Sequence, residues 1–240
     1  MGVVAAVLLD FYGTLVGGDE PVIAQACEKV EATAAAPVSP GDVARSWSEG
    51  FTRACEGSGA GFTGQRAAAH ASLVRTLEVV RSSADPNEVV GELVAYWRRP
   101  PLLDDARDFL RRIDRPVCIV SNIDRPDLEA ALDHHGLVFE HVVTSDDVRS
   151  YKPQPEIFRH AMATLGIDGD DLLHVGDSLG SDVAGANGVG IPVAWVNRRA
   201  RPRPARTRLW AEVAHLGELA ELLDLPSTRP SNPSPPAPSR

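Results

Sequence analysis

The sequence predicts an α/β fold: a parallel sheet flanked by helices, with a helical domain inserted near its start. Three observations carry this. The run from Val3 to Leu9 is β-branched and leucine-rich without a charge, the pattern of a strand buried on both faces. From Leu103 onward short apolar runs alternate with helix-like segments, the rhythm of βα units joined by right-handed crossovers. Between these two regions lie about eighty alanine-rich residues with apolar positions at helical spacing.

Within the insertion, helices are expected over Glu20 to Ala35, Gly41 to Cys55, Gln65 to Arg81 and Pro86 to Arg98. Pro40-Gly41-Asp42 and Asp85-Pro86 are helix-entry signals. Gly57-Ser58-Gly59-Ala60-Gly61 has no strand before it and no Gly-Lys-Ser after it, so it reads as a loop and not a phosphate cradle. Later strands are expected at Val117 to Val120, Val142 to Thr144, Leu172 to Val175 and Val193 to Val196. Helices are expected around Asp127 to His134, Glu156 to Leu165, Asp182 to Asn187 and Leu216 to Leu223. The basic stretch Arg198 to Arg208, interleaved with prolines, reads as a solvated loop. Residues 226–240, mostly Pro and Ser, read as a disordered tail. The expected division is therefore a core of residues 1–15 and 101–225, a helical insert of 16–100 and the tail.

At 240 residues with 43% hydrophobic and 24% charged composition, the chain has the make-up of a globular protein. A net charge of -9 argues against nucleic acid, because phosphate backbones demand a basic surface. Cys27, Cys55 and Cys118 are too few and scattered for a disulfide framework or zinc site. No run is long enough to span a bilayer and no leader pattern opens the chain, so a cytoplasmic monomer or homodimer is the expectation.

Four polar clusters follow strand-like runs, at the sheet edge where open α/β folds bind ligands. Asp10-Phe11-Tyr12-Gly13-Thr14 follows the first strand, and Ser121-Asn122 follows Val120. Tyr151-Lys152-Pro153 offers a restrained point positive charge. Gly176-Asp177-Ser178-Leu179-Gly180-Ser181-Asp182 adds two carboxylates, which near Asp10 would repel one another unless a cation sits among them. An oxygen-only ligand set favours a hard ion such as Mg²⁺. A carboxylate nucleophile, hydroxyl and amide donors, a lysine and an acidic metal site match nucleophilic attack on phosphorus.

In that order and spacing, the four clusters resemble the haloacid dehalogenase superfamily over about Val4 to Leu223. The resemblance implies a Rossmann-like core with a helical cap domain between the first two motifs. It implies Asp10 as nucleophile, and Thr14 and Ser121 in contact with the transferring group alongside Tyr12, Gly13 and Asn122. It further implies Lys152 as the neutralising charge, Asp182 as the group orienting Lys152 or a metal-bound water, and Mg²⁺ on Asp10, Asp177 and the Tyr12 carbonyl. The implied substrate is a small phosphorylated molecule. The cap offers Trp47, Arg53, Phe62, Gln65, Arg66 and His70 as selectivity positions, each equally an ordinary helix-surface or core position.

One residue departs from the phosphatase pattern. Where phosphatases of the superfamily carry a second aspartate as general acid and base, this chain has Tyr12, as in the metal-independent 2-haloacid dehalogenases. Asp177 points the other way, since those dehalogenases carry uncharged residues there. The sequence thus favours a Mg²⁺-dependent phosphatase, with a 2-haloacid dehalogenase or a non-catalytic binding protein of this fold as alternatives.

Overall fold

The computed structural model describes residues 4–205 and 207–226, so all of the expected tail except Pro226 lies outside the described residues. Six parallel strands form one sheet in the order β3-β2-β1-β4-β5-β6. They are β1 (Ala6–Leu9), β2 (Val117–Ser121), β3 (His141–Thr144), β4 (Leu172–Gly176), β5 (Val193–Val196) and β6 (Ala211–Val213). Among the described residues the helices are α1 (Glu20–Ala32), α2 (Pro40–Ala54), α3 (Gln65–Val80), α4 (Pro86–Arg98), α5 (Asp104–Arg112), α6 (Arg125–His135), α7 (Ser145–Val148), α8 (Pro155–Leu165), α9 (Ala184–Gly188) and α10 (Leu216–Leu222). None is long and apolar enough to cross a membrane.

β1 carries no polar residue because both of its faces are covered. Val7 and Leu9 pack with Ile119, Val175 and Phe109 of α5, whereas Ala6 and Leu8 pack with Cys118, Trp195 and Phe158 of α8. Three elements escaped the sequence reading. In α5 only Ala106, Phe109 and Arg112 are buried, a narrow stripe in a helix otherwise crowded with charge. β6 is three residues with an exposed centre, and α7 is a single turn.

The four helices α1–α4 lie between β1 and β2 in sequence. The two crossings run side by side: Gly17 N–H donates to Pro101 O at 2.8 Å and Leu103 N–H to Leu15 O at 3.0 Å. Polar contacts then fasten the insert to the sheet edge. Asp124, just before α6, accepts from the free N–H groups of Gln65 (2.6 Å) and Arg66 (3.0 Å) at the start of α3. Arg66 and Arg98 both pair with the fully buried Asp127 carboxylate. The Tyr151 hydroxyl donates to Thr63 O at 2.8 Å.

Asp124→Ala removes a carboxylate cap, which typically costs about 1 kcal/mol. The expected outcome is a melting temperature about 2–4 °C lower, read by thermal denaturation. A melt matching the parent would mean that water replaces the carboxylate without loss.

Candidate active site

Asp10 sits directly after β1, which is flanked by β2 on one side and β4 on the other, where the sheet connections diverge. Its N–H donates to Val175 O at 2.9 Å. Its carboxylate is buried; Oδ1 accepts from Lys152 Nζ at 2.7 Å and Oδ2 from Thr14 Oγ1 at 2.8 Å. Residues 11–16 fold back tightly, with the Phe11 carbonyl accepting from the N–H groups of Leu15 and Val16. Gly13 holds φ +88°, and a Cβ there would lie 2.7 Å from Asp177 Oδ1. Only glycine allows the first and fourth motifs to approach this closely.

Lys152 spends all three of its protons. Besides Asp10 it donates to Asp182 Oδ1 at 2.7 Å and to Val120 O at 2.9 Å. Asn122 holds the lysine's backbone, accepting from Lys152 N–H at 2.7 Å and donating to Lys152 O at 3.0 Å. Asp182 in turn accepts from Ser178 N–H at 3.0 Å and from His174 Nε2 at 2.9 Å. Gly176 makes room for it, since a Cβ there would fall 2.3 Å from Asp182 Cγ. Ser121 ends β2 and is buried.

Asp10, Asp177 and Asp182 each bring a carboxylate oxygen to within 4.8 Å of the others. Burial pushes the Asp10 carboxyl up to about 7; Lys152 pulls it down, and Asp182 and Asp177 push it up again. Burial, with repulsion from Asp182, pushes Asp177 up to about 6. At Asp182 burial also acts upward, but Lys152 and His174 outweigh it and hold the group well below the usual carboxylate range. Burial likewise opposes the Lys152 charge, yet Asp10 and Asp182 more than restore it, so the lysine stays an ammonium. Such an oxygen-only set with excess negative charge suits a hard dication.

The structure therefore brings Asp10, Thr14, Lys152, Asp177 and Asp182 together. Thr14 and Asn122, expected to meet substrate, have their polar groups on Asp10 and on the Lys152 backbone. Tyr12 turns its side chain away: its hydroxyl donates to Trp97 O at 2.6 Å, and burial raises the phenol above its ordinary range. Among the expected selectivity positions, Trp47 is buried and Arg66 is committed to Asp127.

Two features escaped the sequence reading. His174 is fully buried in β4 against Phe158, and the one sequence signal was a histidine in an otherwise apolar strand. The stretch expected as a solvated loop corrects to a packed one over its first residues. Arg198 donates to Asp105 Oδ2 (2.8 Å) and Thr14 O (2.9 Å). Arg201 lies over the Trp195 ring and 3.6 Å from Asp177 Oδ2. Carboxylates and free carbonyls at the sheet edge draw these guanidiniums inward, which composition alone does not reveal.

A family model described as haloacid dehalogenase-like hydrolase matches residues 4–190. A phosphoserine phosphatase of Thermus thermophilus is 36% identical over 114 residues, 44% of this chain and 44% of that protein. An (S)-2-haloacid dehalogenase of Pseudomonas sp. (strain YL) is 34% identical over 109 residues, 43% of this chain and 46% of that protein. The matched stretch thus spans less than half the length of these curated relatives. Among solved structures, an L-2-haloacid dehalogenase superposes with TM-score 0.78 at 21% identity, covering 93% of this chain and 100% of that one.

Lys152→Met leaves three neighbouring carboxylates without their buried ammonium. Breaking such a pair costs about 3–5 kcal/mol, so a clearly lowered urea midpoint is expected at neutral pH. An unchanged midpoint would show that the cluster does not depend on the lysine.

Proposed function

The chain belongs to the haloacid dehalogenase-like hydrolase family, and we propose that within it the protein is a divalent-cation-dependent phosphatase of a small phosphate ester, with Asp10 as nucleophile. Asp177 carries this reading. With Asp10 and Asp182 it makes three carboxylates around one buried ammonium, more negative charge than the site neutralises by itself. Asp10, Asp177 and the Tyr12 carbonyl would hold Mg²⁺, a donor set of oxygens only. Bound there, Mg²⁺ would offset charge on the transferring phosphoryl group.

The residues of the chain then divide the work. An Asp10 oxygen attacks phosphorus and the ester P–O bond breaks, releasing the alcohol oxygen as an anion. Water next attacks the same phosphorus, the bond to Asp10 breaks, and inorganic phosphate leaves with the carboxylate restored. The proton that water gives up balances the one the alcohol takes. Thr14 and Lys152 hold the two Asp10 oxygens in fixed directions, and Asp182 and Asn122 hold Lys152. The Ser121 hydroxyl, at the end of β2, would donate to a phosphoryl oxygen. The core of residues 1–15 and 101–225 carries the chemistry, and the insert of 16–100 serves as the cap that keeps bulk water out.

Tyr12 favours a second reading, 2-haloacid dehalogenation, in which an Asp10 oxygen attacks carbon and displaces halide. Relatives of both kinds accompany this chain. Against that reading stands Asp177, whose extra charge a halocarboxylate would have to face. For a phosphatase, Tyr12 leaves the departing oxygen without a strong acid, because a buried phenol holding Trp97 O is a poor proton donor. Aryl phosphates and acyl phosphates, whose leaving groups are phenolate and carboxylate, suit such a site.

The test is a panel scored separately for phosphate and halide. Phosphate release from aryl and acyl phosphates is expected with Mg²⁺, falling to background in EDTA. Halide release from 2-chloropropionate in EDTA, with no phosphate release, would overturn the proposal in favour of dehalogenation.

Tyr12→Asp gives up the bond to Trp97 O and supplies a shorter carboxyl acid two residues after Asp10. Phosphate release from alkyl esters is expected to rise on the order of tenfold or more relative to p-nitrophenyl phosphate. Equal effects on good and poor leaving groups would leave Tyr12 as a packing residue.

A further inference from the structure

The loop after β5 holds a cation that none of the four motifs contains. Arg201 lies 3.6 Å from Asp177 Oδ2 and donates through Nη2 to the Asp177 carbonyl. Its guanidinium carbon stands 5.7 Å from the centroid of the Trp195 ring. Trp195 is tied to the same place, its Nε1 donating to Asp177 O at 2.8 Å. Asp177 is the one carboxylate that Arg201 pairs with among the described residues.

The backbone of Arg201 is clamped as well. Asn197, directly after β5, accepts from Arg201 N–H at 2.8 Å and donates to Arg201 O at 2.9 Å. Asn122, directly after β2, does the same for Lys152. The sheet edge thus carries one device twice: an asparagine at a strand end pins the backbone of a cation that pairs with the acidic cluster. Asn197 is itself buried and fixed, its N–H donating to Val213 O at 2.7 Å and its amide to Glu212 Oε1 at 2.7 Å. An arginine held at its backbone, on a carbonyl and over an aromatic face has already lost the freedom that makes an ordinary surface ion pair weak.

Charge then decides what it does. Ionised Asp10, Asp177 and Asp182 carry three negative charges, of which Lys152 answers one and Arg201 a second. A dication arriving at Asp10 and Asp177 meets a guanidinium already on one of its ligands. We propose that Arg201 is a built-in competitor for the divalent cation: it neutralises Asp177 while the cation is absent and raises the concentration of cation that the site needs. The inference rests on the cation-dependent reading of the site for the ion, and on the loop for its regulation. Removing a positive charge a few ångströms from a bound dication should tighten binding by about tenfold at low salt. Arg201 is 40% exposed and Asp177 31%, so added salt should screen the effect.

The experiment reads Mg²⁺ binding without turnover. Mg²⁺ is titrated calorimetrically into the metal-stripped parent, Arg201→Met, Arg201→Gln and Arg201→Lys at about pH 8, where Asp10 and Asp177 are ionised. The melting temperature of each metal-free protein reports that it is folded, and either neutral variant that folds carries the comparison. The neutral variants are expected to bind Mg²⁺ about tenfold more tightly than the parent and, without metal, to melt lower. Arg201→Lys keeps the charge and should stay within about threefold of the parent. Between about 0.05 M and about 0.5 M NaCl the gap between parent and neutral variants should close, which a merely structural loss would not produce. Equal or weaker Mg²⁺ binding in the neutral variants, or equal tightening in Arg201→Lys, would overturn the competitor and leave the cation site standing. Loss of inorganic phosphate affinity in Arg201→Met at an unchanged Mg²⁺ Kd would assign the arginine to the substrate and overturn it too. No Mg²⁺ binding by the parent or by any variant would overturn the cation-dependent reading, and the competitor with it.

Discussion

The Lys152 ammonium donates to Asp10, Asp182 and the Val120 carbonyl, and the rest of the site is arranged around those three bonds. A buried cation of this kind is tolerable only with every proton placed, and a buried carboxylate only with a counter-charge nearby. The surrounding structure meets both demands. Asn122 pins the lysine backbone, His174 and Ser178 N–H hold Asp182, and Thr14 takes the oxygen of Asp10 that Lys152 does not. Because Asp182 is ionised, His174 Nε2 is the donor of that pair, and its Nδ1 is left buried without a partner. Asp177 is the exception: among the described residues its ion pair is with Arg201 at 3.6 Å, and Lys152 acts on it only at longer range. That imbalance makes the acidic cluster a candidate cation site as well as a packing arrangement.

The second constraint is the fastening of the helical insert over this edge. Asp124 and Asp127, both near the start of α6, take the α3 terminus and the two arginines Arg66 and Arg98. Tyr12 and Tyr151, from the first and third motifs, each donate to an insert carbonyl. Residues that flank the chemistry in sequence thus also hold the insert against the sheet edge.

Much of this was legible in the sequence, for identifiable reasons. The all-apolar β1 could be read as a doubly covered strand, and Asp10 and Asp177 directly follow β1 and β4, where the periodicity breaks; Lys152 lies eight residues past β3, beyond α7, and Asp182 six past β4. Three of the insert helices, α1, α2 and α4, have proline and aspartate entry signals, and all four begin at the expected position or one residue from it. What stayed hidden depends on partners distant in sequence. α5 is masked by its charge, and β6 acquires its identity only beside β5. Arg198 and Arg201 look like solvated basic residues until Asp105, Thr14 and Asp177 are brought to them by the fold. The commitment of Asn122 to the lysine backbone, and of the Tyr12 hydroxyl to Trp97, likewise appears only in three dimensions.

On the proposed reading, the carboxylates around Lys152 take a divalent cation. Asp10 and Asp177 are raised from 3.8 to about 7 and about 6. Between those limits the unfolded chain ionises while the fold resists, so their contribution to the metal-free fold is lost as pH rises through that window. A cation that binds only the ionised carboxylates gains affinity over the same window, and its stabilisation grows with it. The direct measurement is the melting temperature with Mg²⁺ and with EDTA, from about pH 5 to about pH 8, for the parent and for Asp177→Asn. The account predicts a Mg²⁺-dependent rise that is small at the acidic end, largest at the alkaline end and lost in Asp177→Asn. A melting temperature indifferent to Mg²⁺ throughout, or a rise undiminished in Asp177→Asn, would contradict it.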